Sequence, residues 1–226
     1  MALSDTRSGR NRRLLSAGTP AHQPPKKNQQ EQIDFQEDLP DRLVGVKTGT
    51  NRPVRLFCQD ECRIGLMPIT RHRITLPGVK PIQEAKPGYE YFYLYGAVEP
   101  ETGHRFFTEH ERLNSDCFQV FLDRFAAAFP RSLNILVLDN GQFHKAKKLS
   151  IPKNVKLMFL PPCSPELNPV ERLWQDLKDQ LAFDFYKHLS SLRQETRAVL
   201  RSYTDRAVAS LTGYNYLLEA TSVLSS

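Results

Sequence analysis

NILVLDNGQFHKAKKLSIPKNVKLMFLPPCSPELNPVERLW, residues 134–174, is the stretch from which the arrangement of the chain can be read. Ile135 to Leu138 is a short, wholly apolar run rich in β-branched residues that stops at Asp139, Asn140 and Gly141, the pattern of a buried strand ending in a turn. A carboxylate therefore sits at the rim of a sheet. Val155 to Leu160 repeats the pattern, and Pro161, Pro162 and Pro165 stop it and keep the following segment extended. After Asn168 and Pro169 a helix is expected, with Asn168 as N-cap and Pro169 in its first position. Val170, Leu173, Trp174, Leu177 and Leu181 recur at helical spacing and give that helix one buried face. Glu171 lies in its first turn, beside the apolar stripe. Asp139 and Glu171 could thus face each other across one cleft.

Asp-Asn-Gly-x-x-His-Lys at 139–145 and Leu-Pro-Pro-x-Ser-Pro-Glu-Leu-Asn-Pro-Val-Glu-x-Leu-Trp at 160–174 carry a family resemblance. Together they resemble the second half of the DDE catalytic domain of Tc/mariner superfamily transposases, in particular the bacterial insertion-sequence branch. Upstream, Phe57-Cys58-Gln59-Asp60-Glu61 closes an apolar strand as the first aspartate of that family does, and Tyr89 to Thr102 is similar to its second strand and turn. The likeness spans residues 28–183, most of the chain. It implies an RNase H-like fold, DNA as substrate, a TA dinucleotide target and a homodimer that brings two transposon ends together. Members of the family carry helix-turn-helix domains before the catalytic one. The 27 residues at the start of this sequence are too few to hold them, so a separate helix-turn-helix polypeptide is an expected partner.

The 226 residues suffice for one medium domain with appendages. No window approaches the ~18 consecutive apolar residues of a membrane span, and the N-terminus lacks an apolar signal core. The expectation is a cytoplasmic, nucleoid-associated protein with no membrane partner. The net charge of +6 is uneven: Arg7, Arg10, Arg12, Arg13, Lys26 and Lys27 against Asp5 put +5 in residues 1–27 and leave +1 for the rest. Any nucleic-acid surface on the body must be a local patch. Cys58, Cys62, Cys117 and Cys163 show no paired C-x-x-C spacing, which fits reduced thiols better than a structural zinc site.

Four regions follow. Residues 1–27 read as a flexible basic leader, either a solvated tail or a sequence-independent DNA tether. Residues 28–50 read as a linker helix, interrupted at Pro40. Residues 51–187 form the RNase H-like DDE catalytic domain, a mixed central β-sheet flanked by α-helices, and 188–226 a C-terminal helical extension divided at Gly213. Within the catalytic region, strands are expected at Val54–Gln59, Tyr91–Val98 and His104–Thr108, a helix at Asp116–Phe129 with Phe118, Phe121, Leu122 and Phe125 facing the sheet, and a short basic helix at Phe143–Leu149. The tail offers Leu192, Val199, Leu200, Val208, Leu211, Leu217 and Leu218, either to cover the sheet or to meet another subunit.

Phosphodiester cleavage and strand transfer put negative charge on a pentavalent phosphorus, which carboxylates alone cannot stabilise. Acids at such a site make sense as metal ligands, and oxygen-only ligation selects Mg²⁺ or Mn²⁺ over zinc. Two ions per site can activate the attacking oxygen and stabilise the leaving one. Asp60, Asp139 and Glu171 are the expected ligands and catalytic residues. Glu61 should point to the opposite face of the strand from Asp60, because side chains alternate, and Glu166 should be exposed in its Pro-bounded turn. Each acid also has a plainer role, as a turn residue or a helix-dipole partner. Arg71, His72, Arg73, Lys80 and Lys86 against the one acid Glu84, with a turn at Pro77-Gly78, suggest a basic hairpin or clamp loop, or else a plain solvated loop. His144 can act as acid or base, fix its loop, or meet a DNA phosphate. Lys145, Lys147, Lys148, Lys153 and Lys156 run from Asn140 to Pro165 with no acid among them, a backbone-holding run or a solvated face. Trp174 belongs with the core. Beside the transposase reading stand a non-catalytic DNA-binding remnant of such an element and an RNase H-like nuclease that cuts without joining.

Overall fold

The computed structural model describes residues 28–66, 90–182, 184 and 186–225. Strands β1 (Val54–Gly65), β2 (Tyr91–Val98), β3 (Arg105–His110), β4 (Leu133–Leu138) and β5 (Val155–Phe159) form one sheet in the order β3-β2-β1-β4-β5. β1, β2 and β3 are an antiparallel meander, whereas β4 lies parallel to β1 and β5 parallel to β4. This is the mixed sheet expected from the order of apolar runs.

β1 is twice as long as its apolar part suggested. Its parallel partner β4 pairs with Val54 to Cys58 only, while β2 pairs with Cys58 to Gly65. The second half is polar, but a ladder is made by backbone groups, and β2 supplies them where β4 has ended. Asp60 therefore stands in mid-strand, at the point where one neighbour stops and the other continues.

Alternation sorts β1 onto two faces. Leu56, Cys58, Cys62 and Ile64 join one apolar cluster, and Phe57 joins the other. Helix α2 (Ser115–Ala128) covers the Phe57 side with Phe118, Phe121, Leu122 and Phe125, all fully buried. Its N-terminus is capped by Asn114, whose Oδ1 accepts from Cys117 N at 2.9 Å. The opposite side is covered by α3 (Val170–Leu181), α4 (Leu189–Ser202), α5 (Asp205–Thr212), α6 (Asn215–Ser225) and α1 (Gln29–Lys47), whose buried side chains share a single cluster. The tail thus covers the sheet. In it Leu217 and Ala220 are buried, whereas Leu218, expected inside, is exposed, and Leu211 is half-buried.

Two local expectations change. Helix α1 continues through Pro40 instead of breaking there. A proline inside a helix costs about 3 kcal/mol. Burying Phe35, Leu39, Leu43 and Val46 gains about 1.5–3 kcal/mol for each side chain, which outweighs it. The segment after Asp139 is a single 3₁₀ turn at Gln142–Lys145, not a helix to Leu149. His144 N bonds Gly141 O at 3.0 Å and Leu149 N bonds Ala146 O at 3.0 Å, so successive tight turns take up the backbone groups.

The turn joining β2 to β3 is stitched to its surroundings. Glu99 is buried there and receives Arg55 Nε on Oε1 at 2.8 Å and Arg55 Nη2 on Oε2 at 2.6 Å, a two-pronged pair reinforced by the Thr102 hydroxyl. Gly103 has φ +76°, and a Cβ there would lie 1.9 Å from the Asp205 carbonyl oxygen at the start of α5. Arg105 Nη1 donates to Asp205 Oδ1 at 2.6 Å and fixes the same junction.

Candidate active site

Three consecutive residues of β1 organise the site. Asp60 points to the α3 side and is half-buried opposite Gly96 of β2. Trp174 Nε1 donates to its Oδ2 at 2.9 Å. The indole reaches it by lying over Gly96, where a Cβ would sit 2.6 Å from Trp174 Cη2. Trp174 is indeed core, 1% exposed, yet its polar edge serves a carboxylate. Burial, then the charges of Glu171 and Glu61, raise the Asp60 carboxyl well above the ordinary carboxylate range; a bond to the Glu61 backbone N–H opposes them, and Asp139 adds to the rise.

Asp139 follows the last residue of β4. Cys58 pairs with Val137, so two residues further along each chain the register brings Asp139 beside Asp60. Its carboxylate is exposed, accepts from Gly141 N at 2.8 Å and lies 2.8 Å from His144 Nδ1. His144 holds its pKa below the usual range, with help from the Gly141 N–H and against the cost of burial. Glu171 is exposed in the first turn of α3. That helix starts at Val170, one residue later than expected; Pro169 already has helical dihedrals, and Asn168 Oδ1 accepts from Val170 N at 3.2 Å. Asn168 Nδ2 donates to Gln59 O at 2.8 Å, so the start of α3 is tied to the residue before Asp60. Among the described residues, no three acidic, histidine or cysteine side chains are already gathered at metal-ligating distance. Glu171 and Asp139 each lie near enough to Asp60 to act on its charge, without the three being preassembled.

Glu61 points away from Asp60, as alternation requires, and meets His144: Oε1 lies 3.0 Å from His144 Nε2. Gln59 Nε2 donates to the same oxygen at 2.7 Å. The His144 ring packs against Phe118 and Phe143, with centroids 4.5 and 4.0 Å away. Burial alone would lower its pKa, but the Asp139 and Glu61 carboxylates outweigh burial and raise it to about 9. The Asp139 contact on Nδ1 is close but not aligned as a hydrogen bond, so it is an ion pair without a directed N–H.

The basic residues divide differently. His144, expected among the DNA contacts, is buried. Lys145, Lys147 and Lys148 are exposed. Lys145 donates to Asn140, next to Asp139, and Lys148 pairs with Asp116 at 2.5 Å. Arg71, Arg73 and Lys80 lie outside the described residues, as does the basic leader. Glu166 is exposed, as expected, and accepts from Gln32 Nε2 at 2.9 Å. Sequence reasoning missed the contribution of Gln59, Asn168 and Glu61; the alternation that turned Glu61 away from Asp60 was a usable signal, since it aimed an acid at the side where His144 is buried.

An antiparallel meander continued by two parallel strands, with acids in mid-β1, just past β4 and at the start of α3, defines an RNase H-like architecture. The profile of the DDE superfamily endonucleases matches residues 55–193, and the chain belongs to that family, with the Tc/mariner likeness of its 139–174 blocks. It is 38% identical over 88 residues to an uncharacterized protein, y4pE/y4sA, of Sinorhizobium fredii, covering 38% of this chain and 65% of that protein. It is 33% identical over 132 residues to the 39 kDa protein of insertion element IS630 from Shigella sonnei, covering 56% of this chain and 38% of the other. The chain therefore spans less than two thirds of either relative. The Mos1 Strand Transfer Complex shares the fold, with a TM-score of 0.59 at 15% identity over 94% of this chain and 66% of the Mos1 chain.

Proposed function

We propose that this chain is the catalytic core of a DNA transposase, a Mg²⁺- or Mn²⁺-dependent endonuclease and strand transferase that cuts at transposon ends and joins the 3′-hydroxyl to target DNA. The observation that carries the reading is geometric: the parallel register of β1 and β4 sets Asp139 beside Asp60, and the Asn168–Gln59 bond ties the start of α3, and with it Glu171, to the same point of β1. The donor set fits a hard divalent cation: the ligands are carboxylate oxygens, and the charge pressing on Asp60 is negative. Mos1 paired-end complexes with Mn and with Mg share this fold at 16% identity, which supports the same choice of ion.

Bound ions, two per site in this proposal, would supply activation of the attacking oxygen and stabilisation of the leaving one. The residues do the rest. Trp174 fixes one oxygen of Asp60, the Gly141 N–H and His144 hold Asp139, and the Asn168–Gln59 bond sets where α3 presents Glu171. Lys145, Lys147 and Lys148, exposed beyond Asp139, would hold phosphates without reading bases. A homodimer, a TA target, a separate helix-turn-helix polypeptide and a cytoplasmic, nucleoid-associated location complete the proposal. No helix among the described residues is long and apolar enough to cross a membrane.

Supercoiled DNA carrying the element's ends, incubated with Mn²⁺ or Mg²⁺, tests the reading. Wild-type protein should nick and join; Asp139→Asn and Glu171→Gln should lose both while retaining the melting temperature and DNA binding. Full activity in either variant overturns the assignment, and nicking without joined products makes the chain a nuclease only.

A further inference from the structure

The three acids proposed as ligands leave a fourth, Glu61, unused. It is one residue from Asp60 but on the other face of β1, with a side chain only 8% exposed. A carboxylate in such a place is costly unless partnered, and its partners are specific. Gln59 Nε2 donates to Oε1 at 2.7 Å, and His144 Nε2 lies 3.0 Å from the same oxygen. The His144 side chain is 1% exposed and has a second carboxylate, Asp139, 2.8 Å from Nδ1. One ring nitrogen thus pairs with an acid inside the sheet, and the other lies close to an acid at its rim without an aligned hydrogen bond. Phe118 and Phe143 hold the ring plane between them.

We propose that Glu61 is a positioning residue for Asp139, acting through His144; this rests on the metal-dependent reading of the site. Asp139 is beyond the end of β4, where no ladder bond fixes it, and its side chain is 61% exposed. The 3₁₀ turn that carries His144 has no side-chain cap at its N-terminus. What fixes this turn is the buried imidazole, and what orients the imidazole is Glu61. β1 thereby controls all three ligand positions. Gln59 anchors the start of α3 through its carbonyl, Asp60 is a ligand itself, and Glu61 reaches under the sheet rim to the loop of the third. Groups that hold a ligating side chain in place belong to a metal site, and losing a direct partner of a ligand costs about 10–100-fold in metal affinity; Glu61 acts one step further out, so the low end of that range is expected.

The test compares Glu61→Ala and Glu61→Gln with wild type in two readouts. The first is Mn²⁺ affinity of the DNA-free protein by electron paramagnetic resonance. The second is hydrogen exchange of the His144 amide, which bonds Gly141 O and reports order in the Asp139 loop. Glu61→Ala should bind Mn²⁺ about tenfold more weakly and lose His144 protection, while α2 and β4 amides keep theirs. Glu61→Gln, which retains an acceptor oxygen, should fall between. A merely structural role would lower protection throughout the sheet, and that result overturns the proposal, as does wild-type affinity with unchanged His144 protection in Glu61→Ala. Wild-type protein that binds no Mn²⁺ sinks the metal reading separately; local loss of His144 protection in Glu61→Ala would then still support the clamp, and its persistence would refute it.

Discussion

Trp174 and Asp60, 114 residues apart in sequence, meet through one hydrogen bond from the indole N–H to a carboxylate oxygen, 2.9 Å long. A core residue and a candidate ligand are thereby one unit, and the packing of α3 on the sheet sets the orientation of the acid.

Replacing Trp174 by Phe keeps most of the buried ring but removes the donor. The Asp60 carboxylate, already disfavoured by burial and by Glu171, loses its side-chain donor. The expected cost is about 1–3 kcal/mol of stability, read by urea denaturation, and nicking should fall more steeply than folding. Equal nicking by the two proteins would separate Trp174 from the site.

Gly96→Ala attacks the same unit from the opposite side. The new methyl would lie 2.6 and 2.7 Å from two indole carbons, and a fully buried indole has little room to retreat. Overpacking of this kind costs about 1–3 kcal/mol. The melting temperature should drop and the indole should shift off Asp60, visible as a changed tryptophan near-UV signal, since Trp174 is the single tryptophan.

Glu99 makes a pH-dependent contribution. Burial pushes its pKa up, but the Arg55 and Thr102 bonds outweigh burial and leave it below 4.5. A lowered folded-state pKa gives stability that is fully present above the unfolded value, near 4.5, and is lost as pH falls through the folded one. Glu99→Gln should therefore be less stable than wild type by about 1.5–3 kcal/mol near neutrality, with the gap narrowing below about pH 4.5. A gap that is constant down to acid pH would show the cost to be packing and not charge.

Gly103→Ala should be among the most damaging single-methyl changes. The left-handed backbone alone costs about 1–2 kcal/mol for a residue with a Cβ, and that Cβ would collide with the Asp205 carbonyl. Thermal unfolding should show the loss, with detachment of α5 from the β2–β3 turn seen as faster exchange of the Ala207 and Val208 amides.

The apolar parts of the chain were legible. Tyr91–Val98 and the buried faces of α2 and α3 follow from periodicity because those elements are held by hydrophobic contact. The second half of β1 was not, because Asp60 to Arg63 has no apolar run and owes its extended state to the β2 ladder. Helix α1 escaped a local reading because burial against the rest of the fold overrides Pro40. At the site, the residues near Asp139 and Glu171 were recognisable from their blocks, whereas the burial of His144 depends on Phe118 and Glu61, partners no local pattern connects to it.

The overrun of β1 past its parallel neighbour has a mechanical meaning. From Glu61 to Gly65 the strand pairs with β2 but no longer with β4. At about 3.4 Å per residue this forms a two-stranded ribbon roughly 17 Å long beyond β4, still packed on the core through Cys62 and Ile64. Because Cys62 and Ile64 are buried under the helices, a change in the pitch of this ribbon is felt at the carboxylate in the middle of the strand.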